Sequence, residues 1–238
     1  MSFKFTIIIP VFNEKDNLKR LEEELLTFIQ NSKTSTKVLF VNDGSTDGSQ
    51  KNIESICNRN PNFNFILFDK NYGLSAALKA GFDYTNTELV GYIDADLQTS
   101  PKDFNLLLEH TTNYELVTGL RINRNDPFIK RTASKIANKI RRVFTKDGMN
   151  DTGCPLKIIK TEFAKRIPLF NGLHRFLPAM ILLQGGRIKQ VPIQHFPRIA
   201  GTSKFGISNR LLEPLTDCIA YLWIKKKYIN YNIKESKL

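Results

Sequence analysis

The sequence predicts an α/β fold with a mostly parallel sheet and helices on both of its faces. In the first half of the chain, short β-branched apolar runs alternate with segments whose apolar residues recur at helical spacing. The apolar runs are nearly continuous, which is typical of parallel strands buried on both faces. With 238 residues, 41% of them hydrophobic, the chain is long enough for one sizeable core and does not have the composition of a disordered protein.

The predicted elements of the first half alternate strictly. Strand Phe5–Val11 carries the β-branched run after Phe5, and helix Asn17–Gln30 follows with Leu18, Leu21 and Leu25 on one side. The remaining elements of this half, in chain order, are strand Lys37–Asn42, helix Ser49–Asn58, strand Asn64–Phe68, helix Leu74–Thr85 and strand Leu89–Ile93.

After residue 120 the predicted strands and helices no longer alternate regularly. We predict a basic helix at Pro127–Phe144, strands at Leu156–Ile159 and Arg187–Gln194, and a helical stretch at Ile207–Tyr228. Residues 1–206 are expected to form the main domain, and residues 207–238 a C-terminal amphipathic helical tail that contacts a membrane surface or a partner.

Charge is distributed unevenly along the chain. Residues 1–120 carry 11 basic and 16 acidic side chains, whereas residues 121–238 carry 24 and 7, so the net charges are −5 and +17. Such a basic half permits nucleic acid, an anionic membrane surface or a polyanionic substrate as a partner. The three cysteines are far apart, which argues against a disulfide framework or a zinc site. Since neither a signal peptide nor a spanning segment is evident, we expect an intracellular protein, peripheral on the cytoplasmic face of a membrane.

Polar residues cluster where the predicted strands end, which is where ligands bind in parallel α/β sheets. The fourth strand ends in Asp94-Ala95-Asp96-Leu97-Gln98. Alternate residues of an extended chain point the same way, so Asp94 and Asp96 can converge on a hard cation such as Mg²⁺ or Mn²⁺, to which Gln98 can add an oxygen. The glycine-rich fingerprints of dinucleotide and P-loop sites are absent from the sequence.

These motifs resemble those of the family 2 glycosyltransferases of GT-A fold, and among them the dolichyl- and polyprenyl-phosphate mannose synthases. The resemblance covers nearly the whole chain. The matching segments are Pro10–Glu14, Asn42–Gly48, Asn71–Gly73, Asp94–Gln98, Gly119–Arg121, the helix bearing Arg131, Ser134 and Asn138, Asp151–Lys157, Pro197–Arg198 and Gly201–Phe205. In place of the family's frequent Gly-Phe-Arg this chain has Cys154-Pro155-Leu156-Lys157, which argues against Lys157 as a phosphate ligand.

The resemblance implies a role for each matching position. Nucleotide-sugar binding falls to Pro10, Phe12, Glu14, Asp43, Asp94, Ala95, Asp96 and Gln98. The residues implied as ligands of the divalent cation are Asp94, Asp96 and Gln98. The residues implied in binding the acceptor phosphate are Arg121, Arg131, Ser134, Arg198 and Lys204. Asp94, Asp96, Arg121 and Arg131 are the residues implied in catalysis.

The implied reaction is an inverting transfer of a sugar, mannose or glucose, from GDP-mannose or a UDP-hexose to polyprenyl phosphate. An acceptor phosphate is already largely ionised at neutral pH, so it needs charge neutralisation and positioning more than a general base. Two alternatives stay open: transfer to a sugar hydroxyl of a cell-surface polysaccharide, and a basic nucleic-acid-binding module. The first needs a carboxylate base, and only 7 acidic residues follow residue 120. The second leaves Asp94 and Asp96 unexplained and lacks an aromatic stacking pattern.

Overall fold

The computed structural model describes residues 3–122, 141–197, 209–231 and 234–235. A seven-stranded sheet with the strand order β3-β2-β1-β4-β6-β5-β7 forms its centre. The strands are β1 Phe5–Val11, β2 Thr36–Asn42, β3 Phe63–Leu67, β4 Leu89–Tyr92, β5 Leu116–Ile122, β6 Lys157–Lys160 and β7 Ile188–Gln194. The helices are α1 Leu18–Asn31, α2 Ser49–Arg59, α3 Leu74–Tyr84, α4 Phe104–Leu108, α5 Thr161–Lys165, α6 Leu173–Leu183 and α7 Asn209–Lys227.

The sheet is mostly parallel, as the sequence predicts. Strand β1 pairs in parallel with both β2 and β4, and β5 pairs in parallel with β7. Strand β6 is antiparallel to both of its neighbours, with Lys157 opposite Tyr92 of β4 and opposite Thr118 of β5. Because β6 runs the other way, its first residue lies at the edge where β4 and β5 have their carboxyl ends.

Helices cover both faces of the sheet, and the strand residues alternate between the two cores. On one face, Ile7 and Ile9 of β1 pack with α1, α2 and α4. On the other face, Ile8 packs with α3, α5 and α6. All three isoleucines are fully buried, which explains why β1 reads as a continuous apolar run.

Helix α6, like helix α4 and strand β5, is an element that the sequence analysis does not predict. Its residues are apolar almost all round, and Pro178 lies within it. The helix is nonetheless buried, with Phe176, Leu177 and Pro178 all inside the second core. The predicted basic helix at 127–144 falls mainly outside the described residues, and its last part is helical at 141–144.

The C-terminal helix α7 packs on the main sheet domain. Cys218 and Tyr221 are 1% and 2% exposed within the second core, and the Tyr221 ring stacks on Phe176 at 5.7 Å between centroids. A domain boundary between residues 206 and 207 stays a prediction. Within the described part of the chain, no helix is both long and apolar enough to cross a membrane.

Candidate active site

The loops that follow β1 and β2 are joined by side-chain hydrogen bonds. The backbone N–H of Asn13 donates to Oγ of Ser45 at 2.9 Å, and Oδ1 of Asn13 accepts from the backbone N–H of Thr46 at 2.8 Å. The backbone N–H of Glu14 donates to Oγ of Ser49 at 3.1 Å. Asn13 has a φ of 53°, a conformation that asparagine tolerates better than most residues. These contacts fix the loop that carries the predicted nucleoside-binding residues.

Pro10, Phe12 and Glu14 are all half-buried in and after the end of β1. The carboxylate of Glu14 accepts a hydrogen bond from Asn17 Nδ2 at 2.6 Å, which orients it at the start of α1. The placement of these three residues at a carboxyl strand end agrees with the position expected for a nucleoside site.

Asp43, at the end of β2, holds the turn that precedes α3. Its Oδ1 accepts from the backbone N–H of Tyr72 at 2.7 Å, and its Oδ2 accepts from the backbone N–H of Gly73 and from Asn71 Nδ2, both at 2.9 Å. Burial raises the pKa of this carboxyl group against the lowering effect of the two backbone donors. Three of roughly four acceptor positions of the carboxylate are therefore used within the protein. The predicted contact of Asp43 with the nucleotide sugar would use the remaining acceptor position.

The segment Asp94–Gln98 follows β4 at the same edge of the sheet. Ala95, Asp96 and Leu97 are buried, and Asp94 and Gln98 are half-buried. Oδ1 of Asp96 accepts from the backbone N–H of Gln98 at 3.1 Å, and Leu97 has a φ of 54°. This left-handed residue turns the chain between Asp96 and Gln98, two of the three side chains that sequence analysis assigns to the cation.

The donor set at this segment fits a divalent cation that is shared with a substrate. Among the described residues, no three His, Cys, Asp or Glu side chains come together as a metal site. Mg²⁺ is commonly held by one or two carboxylates together with the phosphates of a substrate. Asp94 and Asp96 provide such carboxylates, and Gln98 provides a further oxygen.

The backbone carbonyl of Gln98 connects the segment Asp94–Gln98 to the two residues that follow β7. It accepts from the backbone N–H of Phe196 at 2.9 Å and lies 3.1 Å from Nδ1 of His195. The chain that leads into Arg198 and Lys204 therefore starts beside the carboxylate segment. Arg198 and Lys204 themselves, like Arg131 and Ser134, lie outside the described residues.

Arg121, at the end of β5, is clamped by Asp151. Its Nε donates to Oδ2 at 2.7 Å and its Nη2 donates to Oδ1 at 2.8 Å. The two side chains are only 13% and 6% exposed. Burial lowers the pKa of the guanidinium, but the hydrogen bonds and charge of Asp151 outweigh it and hold the pKa above the usual value. Strands β4 and β5 lie on either side of β6, so Arg121 and the segment Asp94–Gln98 are at the same edge of the sheet.

Lys157 is the most deeply buried charged residue of this region, with 0% exposure. Its Nζ donates to the carbonyl oxygens of Thr152, at 3.2 Å, and of Cys154, and it lies 3.4 Å from the hydroxyl of Tyr92. Burial lowers its pKa to about 8, against the opposing effect of Asp151 and other nearby acidic groups. Lys157 thus fastens the loop that begins with Asp151.

Asp151 and Lys157 are the site-forming residues to which sequence analysis gives no role. Asp151 belongs to the matched segment Asp151–Lys157, and this match is the sequence feature that could have identified it. The sequence shows Lys157 as a charged residue at the start of an apolar strand. Its role could not be predicted, because its contacts are to backbone carbonyls, which every residue carries.

His174, in the first turn of α6, is half-buried and faces α3. Its Nδ1 is 3.4 Å from Oγ of Ser75. Burial, together with the charge of Arg175, lowers the pKa of its imidazole to about 3. The contact with Ser75 favours a packing role for His174.

Comparisons with known proteins agree with this architecture. A family model described as glycosyl transferase family 2 matches residues 6–167. A curated relative, the dodecaprenyl-phosphate galacturonate synthase of Rhizobium johnstonii, is 29% identical over 231 residues, which cover 94% of this chain and 68% of the relative.

Solved structures show the same fold at low sequence identity. Glucosyl-3-phosphoglycerate synthase of Mycobacterium tuberculosis, in complex with Mn²⁺, UDP and glucosyl-3-phosphoglycerate, has a TM-score of 0.72 at 13% identity, with 96% of this chain and 82% of that chain covered. The same synthase in complex with Mg²⁺ and UDP has a TM-score of 0.70 at 13% identity, with 96% and 81% covered.

The predicted α/β fold of GT-A type is confirmed by these structures. The family model spans more than half of the chain and includes β1, β2, β4, β5 and β6 together with the segments that carry Asp43, Asp94, Asp96, Arg121 and Asp151. The chain therefore belongs to glycosyltransferase family 2 and is a glycosyltransferase.

Proposed function

We propose that this protein transfers a sugar from a nucleotide sugar to a polyprenyl phosphate, with inversion at the anomeric carbon and with the help of a divalent cation. The donor is a nucleotide sugar such as GDP-mannose or a UDP-hexose. A UDP-linked uronic acid joins the donors to be tested, because the Rhizobium johnstonii relative is a galacturonate synthase. A position at the cytoplasmic face of the membrane belongs to the same proposal.

The observation that carries the proposal is that Arg121 and the carboxylate segment lie at the same edge of the sheet. Arg121 lies at the end of β5 and the segment follows β4, and both strands pair with β6, where Lys157 lies opposite Tyr92 and Thr118. A site with carboxylates on one side and a fixed guanidinium on the other suits a reaction between two phosphorylated substrates. The planar fork of arginine binds phosphate oxygens in two-point contacts.

The pair of Arg121 and Asp151 also favours a phosphate acceptor over a hydroxyl acceptor. Asp151, the acidic side chain in direct contact with Arg121, has both of its carboxylate oxygens in hydrogen bonds to that guanidinium. It is therefore poorly placed to accept a proton from a hydroxyl acceptor, for which a general base is needed. A phosphate acceptor needs none, since its second pKa is near 6.

The proposed reaction is a single displacement that needs no proton transfer. An oxygen of the ionised acceptor phosphate attacks C1 of the sugar, and a new C–O bond forms as the bond between C1 and the nucleotide diphosphate breaks. The electron pair of that bond leaves with the nucleoside diphosphate. Arg121 lowers the repulsion between the incoming phosphate and the leaving diphosphate, and in-line placement of the two gives inversion.

The carboxylates of Asp94 and Asp96 and the oxygen of Gln98 would hold the divalent cation. When bound, such an ion supplies charge to stabilise the departing diphosphate. Solved structures of the Mycobacterium tuberculosis synthase contain Mn²⁺ or Mg²⁺ together with UDP, which supports this part of the proposal.

The test is a transfer assay with radiolabelled donors. Each nucleotide sugar is incubated with the full chain, polyprenyl phosphate and Mg²⁺ or Mn²⁺, and label is followed into the organic phase. We expect labelled lipid from one donor, its loss with EDTA, and a fall of at least 10³-fold for Asp96→Asn. Label that enters the lipid equally well with EDTA would remove the cation from the proposal. If none of the donors yields labelled lipid, the proposal is wrong.

A further inference from the structure

Helix α7 has two apolar sides, and only one of them faces the protein. The inner side carries Cys218 and Tyr221, which are buried in the second core, and Ile224, which packs against it. The other side carries Ile219, Leu222 and Trp223, which are 59%, 41% and 66% exposed. We call these three residues, with Lys226, the outer face of α7.

The spacing of these residues places them on one stripe of the helix. Ile219, Leu222, Trp223 and Lys226 stand at positions i, i+3, i+4 and i+7, which share a side of an α-helix. A long apolar stripe that ends in a basic residue is typical of a helix that lies flat in a lipid interface.

Contacts with α6 fix the position of α7, so the exposure of its outer face is a property of the folded protein. Arg175 of α6 donates to Oδ2 of Asp217 at 2.9 Å, and the Tyr221 ring stacks on Phe176. These contacts fix the rotation of α7 and direct the outer face away from the sheet.

The segment that follows α7 extends the exposed apolar surface. Asn230 Nδ2 donates to the carbonyl oxygen of Leu183 at 2.8 Å, which attaches this segment to the end of α6. On either side of that bond, Ile229 and Tyr231 are 80% and 79% exposed. The protein thus presents aliphatic and aromatic side chains near the end of α6 as well as along α7.

The charged residues at the end of α7 and just after it are all basic. Lys225, Lys226 and Lys227 end the helix, all three are exposed, and residues 218–231 contain no aspartate or glutamate. Lysine stems can lie along apolar surface while their ammonium groups reach the phosphates of lipids. Tryptophan and tyrosine are enriched at the interface between water and lipid.

We infer that the outer face of α7 binds the surface of an anionic phospholipid bilayer. The apolar side chains enter the interface, and Lys225, Lys226 and Lys227 contact the lipid phosphates. The inference rests on the membrane position included in the proposed function and assigns that position to one surface, which shares no residue with the candidate active site. It would bring the active site to the layer in which a lipid acceptor resides.

The test is co-sedimentation of the full chain with vesicles that lack polyprenyl phosphate. We expect strong binding to vesicles of phosphatidylglycerol and phosphatidylcholine, and much weaker binding to phosphatidylcholine alone. Lys225→Gln/Lys226→Gln/Lys227→Gln should weaken the anionic binding roughly 100-fold. Leu222→Ser/Trp223→Ser should weaken it at least tenfold.

Matched controls separate the surface from general effects. Lys19→Gln/Lys51→Gln/Lys102→Gln removes the same charge from the α1–α2 side of the sheet, and Tyr84→Ser removes an aromatic ring that is 73% exposed at the end of α3. Both controls should bind vesicles like the unaltered protein. Transfer activity in detergent should be unchanged in every variant, so a failure of vesicle binding is distinct from a failure of the proposed function.

Three outcomes would overturn the inference. Equal loss of binding in the Lys19→Gln/Lys51→Gln/Lys102→Gln control would show that net charge, not the end of α7, determines binding. No vesicle binding by the unaltered protein would exclude a lipid surface as the occupant. A dimer in analytical ultracentrifugation that Leu222→Ser/Trp223→Ser dissociates, without vesicle binding, would show that a second copy covers the outer face.

Discussion

Arg121 and Asp151 form a two-point ion pair in which Nε and Nη2 of the arginine each donate to a different carboxylate oxygen. The pair joins β5 to the loop that precedes β6 and is almost completely buried. Asp151 engages two of the five N–H donors of the guanidinium and so sets the direction of the others. We therefore regard Asp151 as a positioning residue for Arg121.

Asp151→Asn is predicted to reduce transfer about 10- to 100-fold, because it removes the charge and one of the acceptors that orient Arg121. The effect should fall mainly on the KM for the acceptor phosphate, with a much smaller change in the KM for the nucleotide sugar. Loss of one partner of a buried pair should also lower the free energy of unfolding by about 3 kcal/mol. Steady-state kinetics with each substrate varied in turn, and urea unfolding, measure these effects.

The control for this prediction is Asp83→Asn, which breaks the more exposed pair of Lys79 and Asp83 on α3. An exposed ion pair contributes less than about 1 kcal/mol, so both kinetics and stability should hardly change. Equal rises in the KM for both substrates of Asp151→Asn would argue that Asp151 supports the fold and does not position Arg121.

Lys157→Met is predicted to change how stability depends on pH. Burial lowers the pKa of Lys157 from 10.5 to about 8 in the folded protein. Between these values the unfolded chain holds a proton that the folded protein has released, so this group makes stability rise with pH in that window. The unaltered protein should therefore gain stability relative to Lys157→Met between pH 8 and 10.5, as followed by urea unfolding.

The Lys157→Met comparison has a clear counter-result. If the difference in unfolding free energy between the two proteins is constant from pH 8 to 10.5, Lys157 does not titrate in the folded protein as described. Leu108→Ala is a suitable control, because Leu108 is partly buried against the first core and the substitution removes no titratable group.

Gly44→Ala is predicted to be much more damaging than Gly148→Ala. Both glycines have a φ of +68°, so both substitutions cost about 1 kcal/mol for the left-handed backbone. A methyl group at Gly44 would lie 2.4 Å from the backbone carbon of Lys70, whereas nothing lies within 4 Å of one at Gly148. The clash must displace the turn that Asp43 holds, so the extra loss of stability should exceed about 2 kcal/mol.

Thermal or urea unfolding of the two alanine variants tests this prediction directly. Nucleotide binding should also weaken in Gly44→Ala and not in Gly148→Ala, since only Gly44 adjoins the candidate nucleoside site. Similar stabilities for the two variants would mean that the chain around Lys70 yields easily to the added methyl group.

The strands of the first half could be predicted because burial on both sheet faces produces continuous apolar runs. The predicted strand Phe5–Val11 has the observed bounds of β1, and helix Leu74–Thr85 differs from α3 by one residue. Helix α6 could not be predicted in the same way. A helix buried nearly all round has no polar side, and Pro178 suggests an interruption that tertiary packing overrides.

The placement of the carboxylates could also be predicted from the sequence, because a residue that ends a parallel strand lies at the ligand-binding edge. The clamp of Asp151 on Arg121 could not. It depends on the antiparallel strand β6, which brings a loop some 30 residues away beside the end of β5. Nothing in the local pattern around either residue reveals that contact.

The most direct test of the central claim is a comparison of acceptors that differ only in the phosphate. Polyprenyl phosphate and the corresponding polyprenol are incubated at equal concentration with the active donor and Mg²⁺, and the products are identified by mass spectrometry. The proposed function predicts a polyprenyl-phosphate sugar from the first acceptor and no product from the second. Sugar transfer to the polyprenol at a similar rate would contradict it, because the acceptor phosphate would then not be the nucleophile.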